Sequence, residues 1–217
     1  MSERSNAATC SRRVPVPVGA DSSGEADRRG RLSLVAWGLA AFLLSLIGLV
    51  SPERPILIPL CILGGTTVVL LSWRRIPAAR AFFERLGLPS YLWLHMLRAF
   101  IGAGFLIELS RGRLPAEFAL GAGVGDIIAG LLAALVLFTP ARTPLRARAL
   151  WVFNVVGFVD ILAVLVAAQR ILFFGDPRAM ASFGQAPWPM VPLYVVPLIV
   201  ASHVILFARL KRPASLV

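Results

Sequence analysis

The stretch PAEFALGAGVGDIIAGLLAALVLF, Pro115–Phe138, fixes the fold class of this chain. Apart from Glu117 near its start, it carries one ionisable residue, Asp126, in the middle of an apolar run. About 20 predominantly apolar residues in a helix cross the roughly 30 Å of hydrocarbon in a bilayer. An ionised carboxylate at that depth costs a few kcal/mol, so it faces a partner or a wet cavity rather than lipid. Helical spacing places Ala119, Ala122, Gly123, Asp126, Ala129, Gly130 and Ala133 on one stripe. Small residues on one face let a neighbouring helix approach closely, and Gly121 with Gly125 adds a GxxxG spacing. The segment therefore reads as a membrane span with its acid in an interhelical seam.

Five further segments meet the same test, giving an all-α, polytopic transmembrane bundle of six spans at about 32–50, 55–73, 90–109, 115–138, 147–168 and 189–210. Backbone groups go unpaired in lipid only at high cost, so each span closes its hydrogen bonds internally as a helix. Pro55, Pro89, Pro115, Pro140 and Pro144 mark helix edges, while Pro192 and Pro197 predict a kink in the last span. Residues 1–31, rich in Ser, Arg, Gly and Pro, read as a disordered tail, and 211–217 as a short second tail. The first apolar run leads into Ser51-Pro52-Glu53-Arg54 with no small-residue cleavage site, and so reads as an uncleaved span.

The net charge of +11 does not point to nucleic acid, because the basic residues lie between apolar runs. The amino-terminal tail carries six Arg, the second loop four, the fourth loop three and the carboxyl terminus three Arg or Lys. The first, third and fifth loops carry one, two and two. That alternation predicts cytoplasmic N- and C-termini. Glu108 and Glu117 are expected at the outer interface, solvated, and the fifth loop as an ordinary exposed connection with an interfacial Trp188, a small lid or re-entrant turn being the alternative. Cys10 and Cys61 form no disulfide framework, and no metal-ligand spacing is present. Nothing matches a nucleotide-binding loop, HExxH or GxSxG, and the two halves show no inverted repeat.

Function rests on the polar residues inside the spans. At about 1.5 Å per residue, Asp126 and Asp160 come out near the midplane, with His95, Arg98, Asn154 and His203 at similar depth in the inner half. Gly102 shares a face with His95 and Arg98, and Gly157 precedes Asp160 by one turn. Arg98 satisfies one carboxylate well, leaving a second acid suited to holding a proton. This arrangement suggests a small-solute or proton-coupled transporter-like site made of Arg98, Asp126, Asp160 and Asn154. Two alternatives stand beside it. His95 and His203 on different spans are candidate axial ligands for haem b. The polar groups equally suit a structural or partner-binding subunit, homo-oligomeric or not, in which they fix helix register.

Gly123-Val-Gly-Asp126 matches the GxGD signature and so resembles intramembrane aspartyl proteases such as presenilins and prepilin peptidases, with Asp160 as the second acid. In those families the other acid precedes the signature, whereas Asp160 follows it. Over the last 120 residues or so, a longer pattern runs from Arg98-Ala-Phe-Ile-Gly102 and Phe105-Leu106 to Gly112-Arg-Leu-Pro115 and Phe118-Ala119. It continues through Gly121–Asp126, Gly130, Asn154, Gly157 and Asp160 to Val191-Pro192, Val196-Pro197 and His203. It resembles a group of uncharacterised bacterial small polytopic membrane proteins. The resemblance implies a bacterial cytoplasmic (inner) membrane and brings no catalytic residues, so an enzyme is not the favoured expectation.

Overall fold

The computed structural model describes residues 20–141 and 143–211, with side chains from residue 24 onward. Along the chain run α1 (Ala20–Leu46), α2 (Leu57–Arg75), α3 (Pro77–Arg85), α4 (Leu88–Ser110), α5 (Ala116–Phe138) and α6 (Pro144–Phe174). A 3-10 helix (Pro177–Gly184) and a π-helical turn (Val191–Val195) then lead into α7 (Val196–Leu210). Among the described residues six helices are long and apolar enough to cross a membrane, the last being Val191–Leu210. Their outward faces are greasy: Leu43, Leu63, Phe100, Phe138 and Phe174 are all largely exposed. Side chains of that size unburied along the first five of these helices are accounted for by lipid, so this is a multi-pass membrane protein.

Local chemistry explains where the helices begin and end. Prolines open α3, α4 and α6, where the first turn has no use for an N–H. Thr143 caps α6 by accepting from the Arg146 N–H at 3.2 Å. Asp176 caps the 3-10 helix by accepting from the Arg178 N–H at 2.9 Å. In the last span Pro192 and Pro197 withhold two backbone donors, and the chain answers with the wider π-turn before α7.

Four expectations change. Helix α1 starts at Ala20, so residues 20–31 are helical rather than disordered. An Arg29–Glu25 pair one turn apart, at 2.5 Å, supports that extension. Residues 1–19, with Cys10, and 212–217 lie outside the described residues. The second loop contains α3, whose Phe82 is buried. Helix α6 runs on to Phe174, because Gln169 and Arg170 are tolerated in a helix while Gly175 and Pro177 stop it. The fifth loop is no ordinary exposed connection: Met180, Ser182 and Phe183 of its 3-10 helix are buried, and Trp188 lies against Phe105 with ring centres 5.3 Å apart.

Helices α4 and α5 form the most extensive seam. Two apolar clusters lie at different heights in the bundle. One includes Phe105, Phe118, Ile161, Met180, Phe183 and Ile199. The other includes Tyr91, Leu92, Ala133, Leu150, Phe153 and Leu206. Apart from Glu108 at the end of α4, the buried polar residues of α4, α5, α6 and α7 fall between these two sets in sequence. A polar layer is thus sandwiched between two apolar seals.

Candidate functional site

Arg98 lies at the centre of that layer and is wholly buried. Its Nε donates to Asp126 Oδ1 at 2.7 Å, its Nη1 to the Gly157 carbonyl at 3.0 Å, and its Nη2 to Asp160 Oδ2. One guanidinium therefore joins three helices, α4, α5 and α6. The sequence expectation of one carboxylate served and one left over is corrected, since the planar fork reaches both acids at once. Asp126 is buried, while the Asp160 side chain keeps 18% of its exposure. Among the described residues no hydrogen bond runs directly between the two carboxyl groups. A shared-proton aspartyl dyad needs them face to face with a water between, so the guanidinium stands where that chemistry has its reacting atoms.

Glycines let the helices come close enough for this geometry. A Cβ on Gly102 would fall onto the Gly123 carbonyl oxygen and 3.0 Å from Asp126 Cβ. On Gly125 it would strike Asp160 Oδ1, and on Gly130 it would lie 2.7 Å from Ala99 Cβ. On Gly157 it would lie 2.9 Å from His203 Cε1 and 3.3 Å from Arg98 Nη1. Gly121 differs: it is exposed, with nothing within 4 Å of the Cβ position, so Gly121 and Gly125 do not form one packing motif. The close approach belongs to Gly102 and Gly123 instead. Gly123 was already on the small-residue stripe, but the GxxxG spacing drew attention one residue off the true face.

His95, Asn154 and His203 adjoin the cluster. Ser202 Oγ donates to the Ile199 carbonyl at 2.7 Å and lies 2.9 Å from His95 Nε2. A hydroxyl has one proton, so His95 Nε2–H is the donor to Ser202. Asn154 Nδ2 donates to the His203 carbonyl at 3.3 Å, leaving its Oδ1 to accept from His203 Nδ1–H at 2.8 Å. Both imidazoles are buried, and His95 Nδ1 and His203 Nε2 have no hydrogen-bond partner among the described residues. Ser202 is a site neighbour that sequence reasoning missed. A serine next to a span histidine, in Ser202-His203, was the available signal.

These histidines do not fit haem b. Axial ligands stand on opposite faces of the macrocycle, with its plane between them. Here the two ring centres are 4.3 Å apart, which is direct van der Waals contact. One nitrogen of each ring is also already committed to Ser202 or Asn154. Protein purified from cells grown with ample haem is therefore expected to show no stoichiometric Soret band. A band that shifts on reduction and disappears in His95→Ala would overturn this reading. Among the described residues no group of three His, Cys, Asp or Glu side chains is placed to hold a metal ion.

Glu108 was expected in solvent and is not there. It is only 2% exposed, and its Oε1 accepts from Arg113 Nη2 at 2.6 Å and Arg111 Nη1 at 3.2 Å. Its Oε2 accepts from Ser182 Oγ at 2.7 Å, which ties the 3-10 helix to the end of α4. Arginines three and five residues after a glutamate were the visible cue; the 3-10 helix that buries the pair was not visible. Beneath that helix lies a cavity of about 40 Å³ whose wall includes Phe105, Asp126, Met180 and Phe183.

The sequence profile of a family described as Domain of unknown function (DUF8737) matches residues 55–211, which contains every residue of this site. No curated protein and no solved structure matches the chain.

Proposed function

Because the chain belongs to the DUF8737 family, which brings no activity to inherit, we propose its function from the site itself. It acts as a proton-coupled, transporter-like protein of the bacterial cytoplasmic membrane, with both termini on the cytoplasmic side. The Arg98–Asp126–Asp160 cluster is the station a proton occupies on its way, with Asn154 and His203 beside it. Membrane and orientation rest on the distribution of arginine between loops and on the family resemblance.

One observation carries the reading: a single buried guanidinium faces two carboxylates from two other spans. With both acids ionised and both imidazoles neutral, the layer holds one negative charge too many. An uncompensated charge in a low-dielectric interior costs several kcal/mol. Uptake of a proton removes that cost, and its release restores it, which is what a carrier site requires. The size of the cavity at Asp126 separates proton from solute. A volume of about 40 Å³ admits a water, which needs about 10–15 Å³, but falls far below the roughly 300 Å³ of small-molecule sites. Two apolar seals around the layer support a closed, occluded state of such a carrier.

The test is proton flux into proteoliposomes loaded with a pH-sensitive dye and driven by a potassium-diffusion potential. The wild-type chain is expected to acidify the lumen faster than protein-free vesicles. Asp126→Asn and Asp160→Asn should each drop to the protein-free rate, with Glu117→Gln unchanged. Wild-type flux in both Asp variants would sink the proposal and leave the cluster as a register-fixing network.

A further inference from the structure

We propose that the cleft between α1 and the α2–α3–α4–α7 face is a binding site for an anionic diacyl phospholipid, held by its head group at Arg29 and Arg31. The inference is independent of proton movement. It starts from how α1 is attached. Gly30 lies under the Phe82 ring, whose carbons come within 2.6 Å of its Cβ position. Further along, Trp37 meets Tyr194 edge-on at 5.1 Å, and Tyr194 Oη donates to the Leu34 carbonyl at 3.2 Å. Away from these anchor points the helix leaves two hollows.

The larger hollow, about 420 Å³, is walled by apolar residues such as Trp37, Val68, Ile76 and Ala79. The smaller, about 310 Å³, is walled by Tyr91, Leu94, Leu198 and Ile205. Leu34, Val69, Phe82 and Phe83 line both, so the two hollows adjoin as lobes on either side of a shared wall. Both volumes fall within the range of small-molecule sites, and two adjoining apolar lobes suit two acyl chains.

Charge identifies the head group. Arg29 borders the larger lobe and Arg31 the smaller, on either side of the Gly30–Phe82 contact. Glu25 and Asp27, the acids nearest in sequence, are engaged by Arg29 and Arg85. Arg31 makes no ion pair among the described residues, and Arg74 and Arg75 occupy the last turn of α2 just beyond Ser72 of the lining, which makes this end of the cleft cationic. Ser33, Ser72 and Ser90 add hydroxyls to the lining. An apolar interior with a surplus of arginine at its mouth selects an amphiphile with a negative head, as basic pockets between spans do for anionic lipids. A zwitterionic lipid brings the same chains but no net charge to the arginines.

The experiment is native mass spectrometry of the full chain, delipidated in detergent and offered phosphatidylglycerol or phosphatidylcholine of matched chains. One retained phosphatidylglycerol per chain is expected, bound about tenfold or more tightly than phosphatidylcholine. Arg29→Gln with Arg31→Gln should abolish the preference. Ser72→Phe, which leaves both arginines but intrudes on the larger lobe, should abolish retention of either lipid. Equal retention of the two lipids would overturn the proposal, as would a preference surviving the double arginine variant. Retention unaffected by Ser72→Phe would place the lipid elsewhere. No retained phospholipid at all would overturn the proposal as well.

Discussion

Arg98→Ala is expected to cost about 3–5 kcal/mol, the scale for removing one partner of a buried ion pair. In detergent the variant should then lose its monodisperse peak at a clearly lower temperature than the wild type. The loss is this large because one substitution strands two carboxylates on two helices and opens the Gly157 carbonyl as well. A specific rescue follows. Arg98→Met combined with Asp126→Asn and Asp160→Asn removes charge from both sides and should recover most of the thermal midpoint lost by Arg98→Ala. Arg98→Lys should not, since an ammonium lacks the planar fork that reaches three acceptors on two other helices. Thermal unfolding in detergent, read as loss of the native size-exclusion peak, distinguishes these outcomes. Arg98→Ala at wild-type stability would mean that the cluster is not what joins α4, α5 and α6.

Gly102→Ala should destabilise the seam, while Gly121→Ala should leave it unchanged or firmer. At Gly102 the added methyl meets a backbone carbonyl, that of Gly123, which no rotamer change can move aside. Overpacking of this kind costs about 1–3 kcal/mol, against a gain of about 1 kcal/mol in helix propensity on replacing glycine. Because the seam also positions Asp126, 3.0 Å from the same point, proton flux should fall along with stability. At Gly121 nothing is touched, so only the propensity gain remains. The same thermal assay checks both, and equal effects would contradict the close approach of α4 and α5.

What the sequence revealed, and what it hid, divides along physical lines. Six spans and their approximate limits follow from hydropathy and proline positions, because a bilayer imposes one length on every helix that crosses it. Arg98, Asp126 and Asp160 were identifiable as a group because charge inside a span needs a partner, and depth along antiparallel helices pairs residues by arithmetic. The sharing of one guanidinium between both acids was not legible, since it depends on which faces of α4, α5 and α6 converge. The contact of the His95 and His203 rings was hidden for the same reason: equal depth does not give separation. Burial of Glu108 depended on the 3-10 helix, whose fold comes from Asp176 capping and from apolar side chains in a stretch that reads as a loop. Helix α1 before Leu32 was missed because its polar turns carry no hydrophobic period.

A surplus carboxylate in the Arg98 layer, balanced by a proton, has a direct readout in the infrared. The measurement is the carboxylic-acid C=O stretch of the detergent-purified chain at neutral pH, for wild type, Asp126→Asn and Asp160→Asn. A protonated-carboxyl band is expected in the wild type and lost in either variant, because each substitution leaves one carboxylate to balance Arg98. A spectrum in which both aspartates are ionised, with no such band to lose, would contradict it.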